Sequence, residues 1–277
     1  MSVADRRNPD RPTLDAAVLR RDLVETNSLW RTVDVLPETG STNADAAAAA
    51  REGAPEGLVV TTEHQVSGRG RLGRVWASPP RSGLAVSVVL RPSRVSPSRW
   101  PWLPLLTGVA VRDCVAESAG VEARLKWPND VLVEGRKLAG ILVERVDTPL
   151  GAAAVVGIGI NVSLDASELP VPEATSLALA DAATTDRTVL TVALLRRLET
   201  HYRAWLDAEG DPGYGLRNDY VRACATVGEQ VRIALPDGSA LVGRAVGVDP
   251  AGRLEVDAEG VRRAVGAGDV VHLRSGS

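Results

Sequence analysis

Of the 32 basic residues in this chain, only Lys126 and Lys137 are lysines; the rest are arginines. Both lie in one stretch, KWPNDVLVEGRKLAGILVE, residues 126–144. A lysine ammonium is a compact point charge on a flexible stem, which a planar guanidinium cannot imitate. Two lysines in one such segment point to a charge placed for chemistry; chance placement in an arginine-rich composition is the alternative. A second group is the loop GRGRLGRVW at 68–76. Gly68, Gly70 and Gly73 match G-x-G-x-x-G, but a dinucleotide site needs a helix opening at the third glycine. Here Trp76-Ala77-Ser78-Pro79-Pro80 and an apolar strand follow, so that reading fails. The interleaved Arg69, Arg71 and Arg74 instead suit closure over carboxylate or phosphate oxygens, and such a loop is expected to be mobile until a ligand is present. An ordinary solvated basic loop is the alternative.

Gly40-Ser41-Thr42-Asn43 opens an alanine-rich helix, and Ser41 or Thr42 is expected to cap it. Hydroxyls and free N–H groups at that start could hold a ligand or serve the cap alone. Gly157 and Gly159 alternate on one face of the apolar run Ala152 to Asn161. Alternate glycines in a buried strand imply a close neighbour on that face, either a flat ligand or another packed strand.

The elements that must position these groups follow from periodicity and turn residues. Val131–Val133 and Leu138–Val143 read as a hairpin turned at Glu134-Gly135-Arg136, with Pro128-Asn129-Asp130 as the turn leading in. Further strands are expected at 33–36, 58–62 and 84–90. A short helix capped by Thr13 carries Leu14, Val18, Leu19 and Leu23, and residues 1–12 read as a frayed tail. Trp100 and Trp102 begin a core-packed helix. Thr188–Leu206 is an amphipathic scaffold helix with Val189, Val192, Leu195, Leu198, Tyr202 and Trp205 on one side. Beyond Ala225, alternating strands at 231–235, 241–248, 254–256, 261–265 and 270–273 make a small β-barrel. Three segments are expected: a tail and short helix at 1–29, a catalytic domain at 30–223, and the barrel at 224–277.

A hydrophobic content of 44% in 277 residues allows a sizeable core. A net charge of -3 argues against a surface built throughout for nucleic acid. Cys114 and Cys224 lack a CxxC pattern and suit a reducing cytoplasm. His64, His201 and His272 lack zinc spacing. Neither a signal peptide nor a membrane span is expected.

Together GSTN (40–43), GRGRLGRVW (68–76), KWPNDV (126–131), KLAGILVE (137–144) and GIGINV (157–162) resemble biotin–protein ligases in order and spacing, over roughly residues 30–275. The resemblance is to the form without an N-terminal DNA-binding domain. It implies an α/β (α+β) fold: a mixed central sheet with helices packed on one side, class II synthetase-like, plus a C-terminal SH3-like barrel. It also implies two steps. Biotin and ATP, with Mg2+, give biotinyl-5′-adenylate and pyrophosphate; a lysine of a biotin carboxyl carrier domain then takes the biotin. By motif position, Lys137 would bridge the biotin carboxylate and the α-phosphate. Ser41, Thr42 and Gln65 would bind the ureido ring. Gly68 and Arg69 would cover the biotin, Arg69 sealing the adenylate from water. Arg71 and Arg74 would hold phosphates, Arg71 also reaching biotin, and Trp76 would stack on adenine. Gly140, Leu142, Gly157 and Gly159 would wall the rings, and Asn161 would reach the adenine. Asn129 and Asp130 would serve ATP or Mg2+, or shape their turn; Lys126 would serve ATP or support the hairpin. A lipoate–protein ligase is the nearest rival, although lipoate lacks a ureido group for the polar set to bind. A biotin-binding module without catalysis and a nucleic-acid-binding protein are the others. Monomer and homodimer are both compatible with this reading.

Overall fold

The computed structural model describes residues 11–235 and 238–273. Most of the expected tail, and the barrel turn at Pro236-Asp237, lie outside the described residues. The end of that tail is not frayed: Arg11 is buried, donates to the Ser163 carbonyl at 2.7 Å and pairs with Glu168. A buried guanidinium is tolerated only when paired in this way. The short helix α1 (Ala16–Leu23) is capped by Asp15, not Thr13; the Asp15 carboxylate accepts from the Ala17 and Val18 amides.

The chain continues through β1 (Thr32–Leu36), α2 (Thr42–Arg51), β2 (Leu58–Thr62), β3 (Gly68–Arg69), β4 (Val75–Trp76) and β5 (Gly83–Leu90). Next come α3 (Trp102–Ala119), β6 (Arg124–Lys126), β7 (Asp130–Val133), β8 (Arg136–Thr148), β9 (Gly151–Asn161) and α4 (Arg187–Asp207). Helix α5 (Leu216–Ala223) leads to β10 (Gln230–Ala234), β11 (Ala240–Val248), β12 (Leu254–Ala258), β13 (Val261–Val265) and β14 (Asp269–His272).

Seven strands form one mixed sheet in the order β1-β2-β5-β9-β8-β7-β6, with only β1 and β2 parallel. The uninterrupted apolar run of β9 is explained by its place at the sheet centre, covered on both faces. Helices lie on both faces, not one. Helices α1, α3 and α4 share the large core with Val59, Val86, Val88, Val156 and Ile158. On the opposite face, Ala46, Ala47 and Ala50 of α2 pack on Leu58, Val60, Val89 and Val155. Successive residues of a buried strand point to opposite faces, so β2 and β9 require cover on both. Alanines let α2 sit close. Beyond those alanines, Gly157, Gly159, Gly140 and Leu142 form the floor of the site.

Val189, expected on the apolar side of α4, is exposed, and Leu190 and Leu194 are buried there instead. The short helix α5 buries Tyr220, with Leu216, Val221 and Ala223 partly buried against the same core.

The barrel strands pair antiparallel in the order β13-β12-β11-β10-β14 around Val231, Ile233, Ala245, Leu254 and Val256. Two indoles tie this unit to the rest of the chain. Trp102 Nε1 donates to the Pro250 carbonyl at 2.9 Å, and Trp127 Nε1 to the Gly252 carbonyl at 3.0 Å. Trp102 is therefore a core residue; Trp100 is only partly buried. Among the described residues, no helix is long and apolar enough to cross a membrane.

Candidate active site

The β7–β8 hairpin turns through Glu134 and Gly135, both with positive φ (51° and 75°), so Val133 pairs directly with Arg136. This is the backbone twist that tight hairpins favour, and glycine supplies part of it without strain. The strand is longer than the sequence suggests, running to Thr148. Register slips between Val131, opposite Ala139, and Leu132, opposite Lys137, leaving Leu138 as an extra residue. In a regular strand, residues 137 and 140 would face opposite sides. The bulge undoes that alternation and re-aims Lys137. A Cβ placed on Gly140 would lie 3.3 Å from Lys137 Nζ. The Lys137 backbone is clamped too: its amide donates to the Glu173 carbonyl (2.7 Å) and its carbonyl accepts from Thr175 (2.9 Å).

Lys137 Nζ stands 2.6 Å from Asp130 Oδ1, both side chains only partly exposed, and 5.8 Å from the centre of the Trp76 ring. The ammonium therefore borders a cavity of about 500 Å3 lined by both lysines of the chain, the arginine loop, Thr42, Gln65 and Asn161. That volume lies in the range of ordinary small-molecule sites.

The loop 65–76 folds back on itself. Gly68 pairs with Trp76 and Arg69 with Val75, a single turn of 3-10 helix lies between them, and Leu72 and Gly73 have positive φ. Val66, Leu72 and Val75 are exposed, so the loop is not fastened by core packing. Its arginines differ. Arg71 donates to Asn129 Oδ1 at 3.0 Å. Burial lowers its guanidinium pKa, while the carboxylates of Asp269 and Asp130 act in the opposite sense. Arg74 pairs with Asp269 of the barrel strand β14. Arg69 is exposed and has no side-chain partner among the described residues.

Thr42 and Gln65 meet directly: Gln65 Oε1 accepts from the Thr42 amide at 2.9 Å and from its hydroxyl at 3.1 Å. Ser41 occupies the cap position of α2 but makes no side-chain capping bond, so its hydroxyl does not serve the helix end. The glycine faces at 157 and 159 are covered by two side chains, neither of the two neighbours the sequence suggested. A Cβ on Gly157 would fall 2.1 Å from Asn43 Oδ1, and one on Gly159 would fall 2.5 Å from the Trp76 indole. Trp76 thus lies across the floor assigned to the ligand rings. Asn129 is stitched to Ile141 by its side-chain nitrogen (3.0 Å) and by its backbone carbonyl (2.9 Å), which favours the turn-shaping role. Asn161 is buried, and its amide donates to the Thr175 carbonyl at 2.9 Å. Lys126 lines the cavity and has no ion pair among the described residues.

Sequence reasoning missed Asn43, Ser87, Ala174 and Asp269 as lining residues. Asn43 sits inside the GSTN run and could have been flagged there. Asp269 carried no local signal, because its contact with the loop spans two domains.

Arg74 is exposed and Asp269 partly exposed, so their pairing is worth at most about 1 kcal/mol. If Arg74 holds phosphates, Asp269 competes for it. Asp269→Asn is then expected to lower KM for ATP, by up to about fivefold. Steady-state kinetics check this, and a raised KM would show that Asp269 assists binding instead.

The family model "Biotin/lipoate A/B protein ligase family" matches residues 37–161, and "Biotin protein ligase C terminal domain" matches 226–273. The biotin–[acetyl-CoA-carboxylase] ligase of Mycobacterium tuberculosis is 45% identical over 268 residues, covering 95% of this chain and 97% of that one. The enzyme of the same name from Paracoccus denitrificans is 31% identical, covering 85% and 98%. The solved biotin protein ligase of Aquifex aeolicus, in complex with biotin and ATP, superposes with a TM-score of 0.74 at 25% identity, over 89% of this chain and 100% of that one. Identity of 45% over nearly the whole of both chains shows that the chain belongs to the biotin–protein ligase family.

Proposed function

We propose that this chain activates biotin with ATP and transfers it to a lysine of a biotin carboxyl carrier domain. One observation carries the reading: the ammonium of Lys137 borders a cavity whose wall holds the Thr42–Gln65 polar pair and whose rim holds three arginines.

In the first step, a biotin carboxylate oxygen bonds to the α-phosphorus of ATP, and the bond from that phosphorus to the bridging oxygen breaks, releasing pyrophosphate. Two anions must approach. Lys137 screens their repulsion, exchanging its contact with Asp130 for contacts with the carboxylate and phosphate. In the second step, the acceptor amine attacks the biotinyl carbonyl carbon and AMP leaves with the electron pair of the carbonyl–oxygen bond, while the amine sheds a proton to solvent. The same ammonium stabilises the oxyanion formed on the way. Arg71 and Arg74 hold phosphate oxygens through paired N–H donors. Arg69, without a side-chain partner among the described residues, folds over the adenylate and keeps water out. Trp76 provides an aromatic face for adenine, and Asn161 lies within the same wall.

Mg2+ fits this site as an ion carried in by the triphosphate. Among the described residues no group of three or more His, Cys, Asp or Glu forms a ready-made cage. Magnesium commonly takes one or two carboxylates plus substrate phosphates, and Asp130 is placed to supply one. Bound there, the ion would neutralise phosphate charge.

We assign residues 30–223 to the catalytic unit and 224–277 to the barrel. The two thiols are buried and form no disulfide, in keeping with a reducing cytoplasm.

The test is acceptor labelling. Purified chain, ATP, Mg2+ and a biotin carboxyl carrier domain are incubated with biotin or with lipoate, and the intact acceptor is weighed by mass spectrometry. One biotinyl group on the acceptor lysine, and no lipoyl group, is the expected result. Lipoyl labelling, or no labelling, would overturn the reading.

A further inference from the structure

Behind the polar pair lies a hydrogen-bonded chain whose direction is forced. Asn43 Nδ2 donates to Glu144 Oε2 at 2.8 Å and to the Leu142 carbonyl at 3.4 Å. Both neighbours only accept, so the nitrogen end of the amide must face them and its carbonyl must face Ser87. Ser87 Oγ lies 2.7 Å from Asn43 Oδ1 and also 2.7 Å from Thr42 Oγ1. A hydroxyl has one proton, and an amide carbonyl can only accept, so the proton of Ser87 goes to Asn43. Thr42 then receives nothing from Ser87. Its own proton goes to Ser87 Oγ or to Gln65 Oε1, which is fixed as an acceptor by the Thr42 amide. Two internal acceptors thus stand at 2.7 and 3.1 Å for that proton, and with it on either one Thr42 Oγ1 turns only lone pairs to the cavity.

We infer that Asn43 is a specificity-determining positioning residue, which through Ser87 holds the Thr42 hydroxyl as an obligate acceptor and so selects a ligand with an N–H at that point. Gly157 makes room for it, since any Cβ there would collide with Asn43 Oδ1 at 2.1 Å. Ser87, Thr42 and Asn43 are all buried, so bulk water cannot exchange freely for the missing partner. The inference rests on the biotin reading, in which the N–H belongs to the cyclic urea. The amide nitrogen of Gln65 completes the match as a donor beside the acceptor. A ring without an N–H leaves the hydroxyl lone pairs unpaired in a buried wall. Sites of this construction reject such analogues by large factors, because their own polar groups are stranded.

The experiment compares biotin with the two cyclic carbamates in which one or the other ureido N–H is replaced by oxygen, using calorimetry on the full chain. Wild type is expected to bind biotin at least about a hundredfold tighter than one of the two carbamates. Asn43→Ala frees the Ser87 proton for Thr42, which can then donate to the ring oxygen. That ratio is expected to fall below about fivefold. Asn43→Asp still accepts from Ser87, so it is expected to keep the ratio within about threefold of wild type even though its carboxylate faces Glu144 and weakens binding of all three ligands. A purely structural role for Asn43 would weaken biotin and carbamate alike and leave the ratio untouched. An Asn43→Ala protein that retains the full ratio, or an Asn43→Asp protein that loses it, overturns the inference; the second arm decides even if Asn43→Ala does not fold. Failure of wild type to bind biotin would instead sink the proposed function.

Discussion

Lys137→Ala is expected to slow single-turnover formation of biotinyl-5′-adenylate by about a hundredfold to a thousandfold, the usual cost of removing one charge-stabilising donor. That corresponds to about 3–4 kcal/mol of transition-state stabilisation. Biotin affinity is expected to change far less. In the proposed reading the ureido contacts are made by Thr42 and Gln65, which bond to each other in the same cavity wall and not to Lys137. Stability should also hold, because the Lys137 side chain is one-third exposed and the backbone bonds to Glu173 and Thr175 do not depend on it. Lys137→Arg should rescue little, because a wide planar guanidinium does not reproduce a compact point charge on a flexible stem. Rapid-quench measurement of pyrophosphate release checks the rate, and calorimetry checks the affinity. An unchanged rate would remove Lys137 from the mechanism.

Gly68→Ala is expected to disable the enzyme without unfolding it. A Cβ at that position would lie 2.3 Å from the Trp76 carbonyl oxygen and 2.8 Å from Gln65 Nε2. The first of these is backbone, so the β3–β4 pairing must open. Overpacking of this kind costs about 1–3 kcal/mol. Here that cost falls on the loop that carries the three arginines and seats Trp76. The efficiency of adenylate formation, kcat/KM, should fall by about tenfold to a hundredfold. The melting temperature should move by no more than about 2 °C, because Val66, Leu72 and Val75 are exposed and the loop adds little to the core. Stopped assays with a parallel thermal melt test both halves. A variant that melts early would place Gly68 in the fold, and one with full activity would show that the paired loop is not needed.

The legibility of this protein in its sequence follows from how local each signal is. Strands with two-residue periodicity and turn residues between them, as in the barrel, were readable almost to the residue, because pattern and turn chemistry agreed. The hairpin was readable from Glu134-Gly135. Its bulge at Leu138 was not: alternation in KLAGIL reads the same with or without a slipped register, and only pairing with β7 reveals it. That slip puts Lys137 in the cavity. The glycines at 157 and 159 were rightly read as sites of close approach, but what approaches is Asn43 and Trp76, brought there by α2 and the arginine loop. Contacts across domains, such as Arg74 with Asp269, leave no mark on either segment alone. The placement of helices on both faces of the sheet was implicit in the fully buried pattern of β2, which requires two covers.

The central claim is that one protein chain joins a carboxylate to a nucleotide and keeps the product. Wild-type protein is mixed with biotin, Mg2+ and ATP labelled at the α-phosphate, with no acceptor present, then passed rapidly through a desalting column. The account predicts about one equivalent of biotinyl-5′-AMP retained per chain, absent when biotin is omitted. Label eluting only as free ATP and AMP, with none held by the protein, would contradict it.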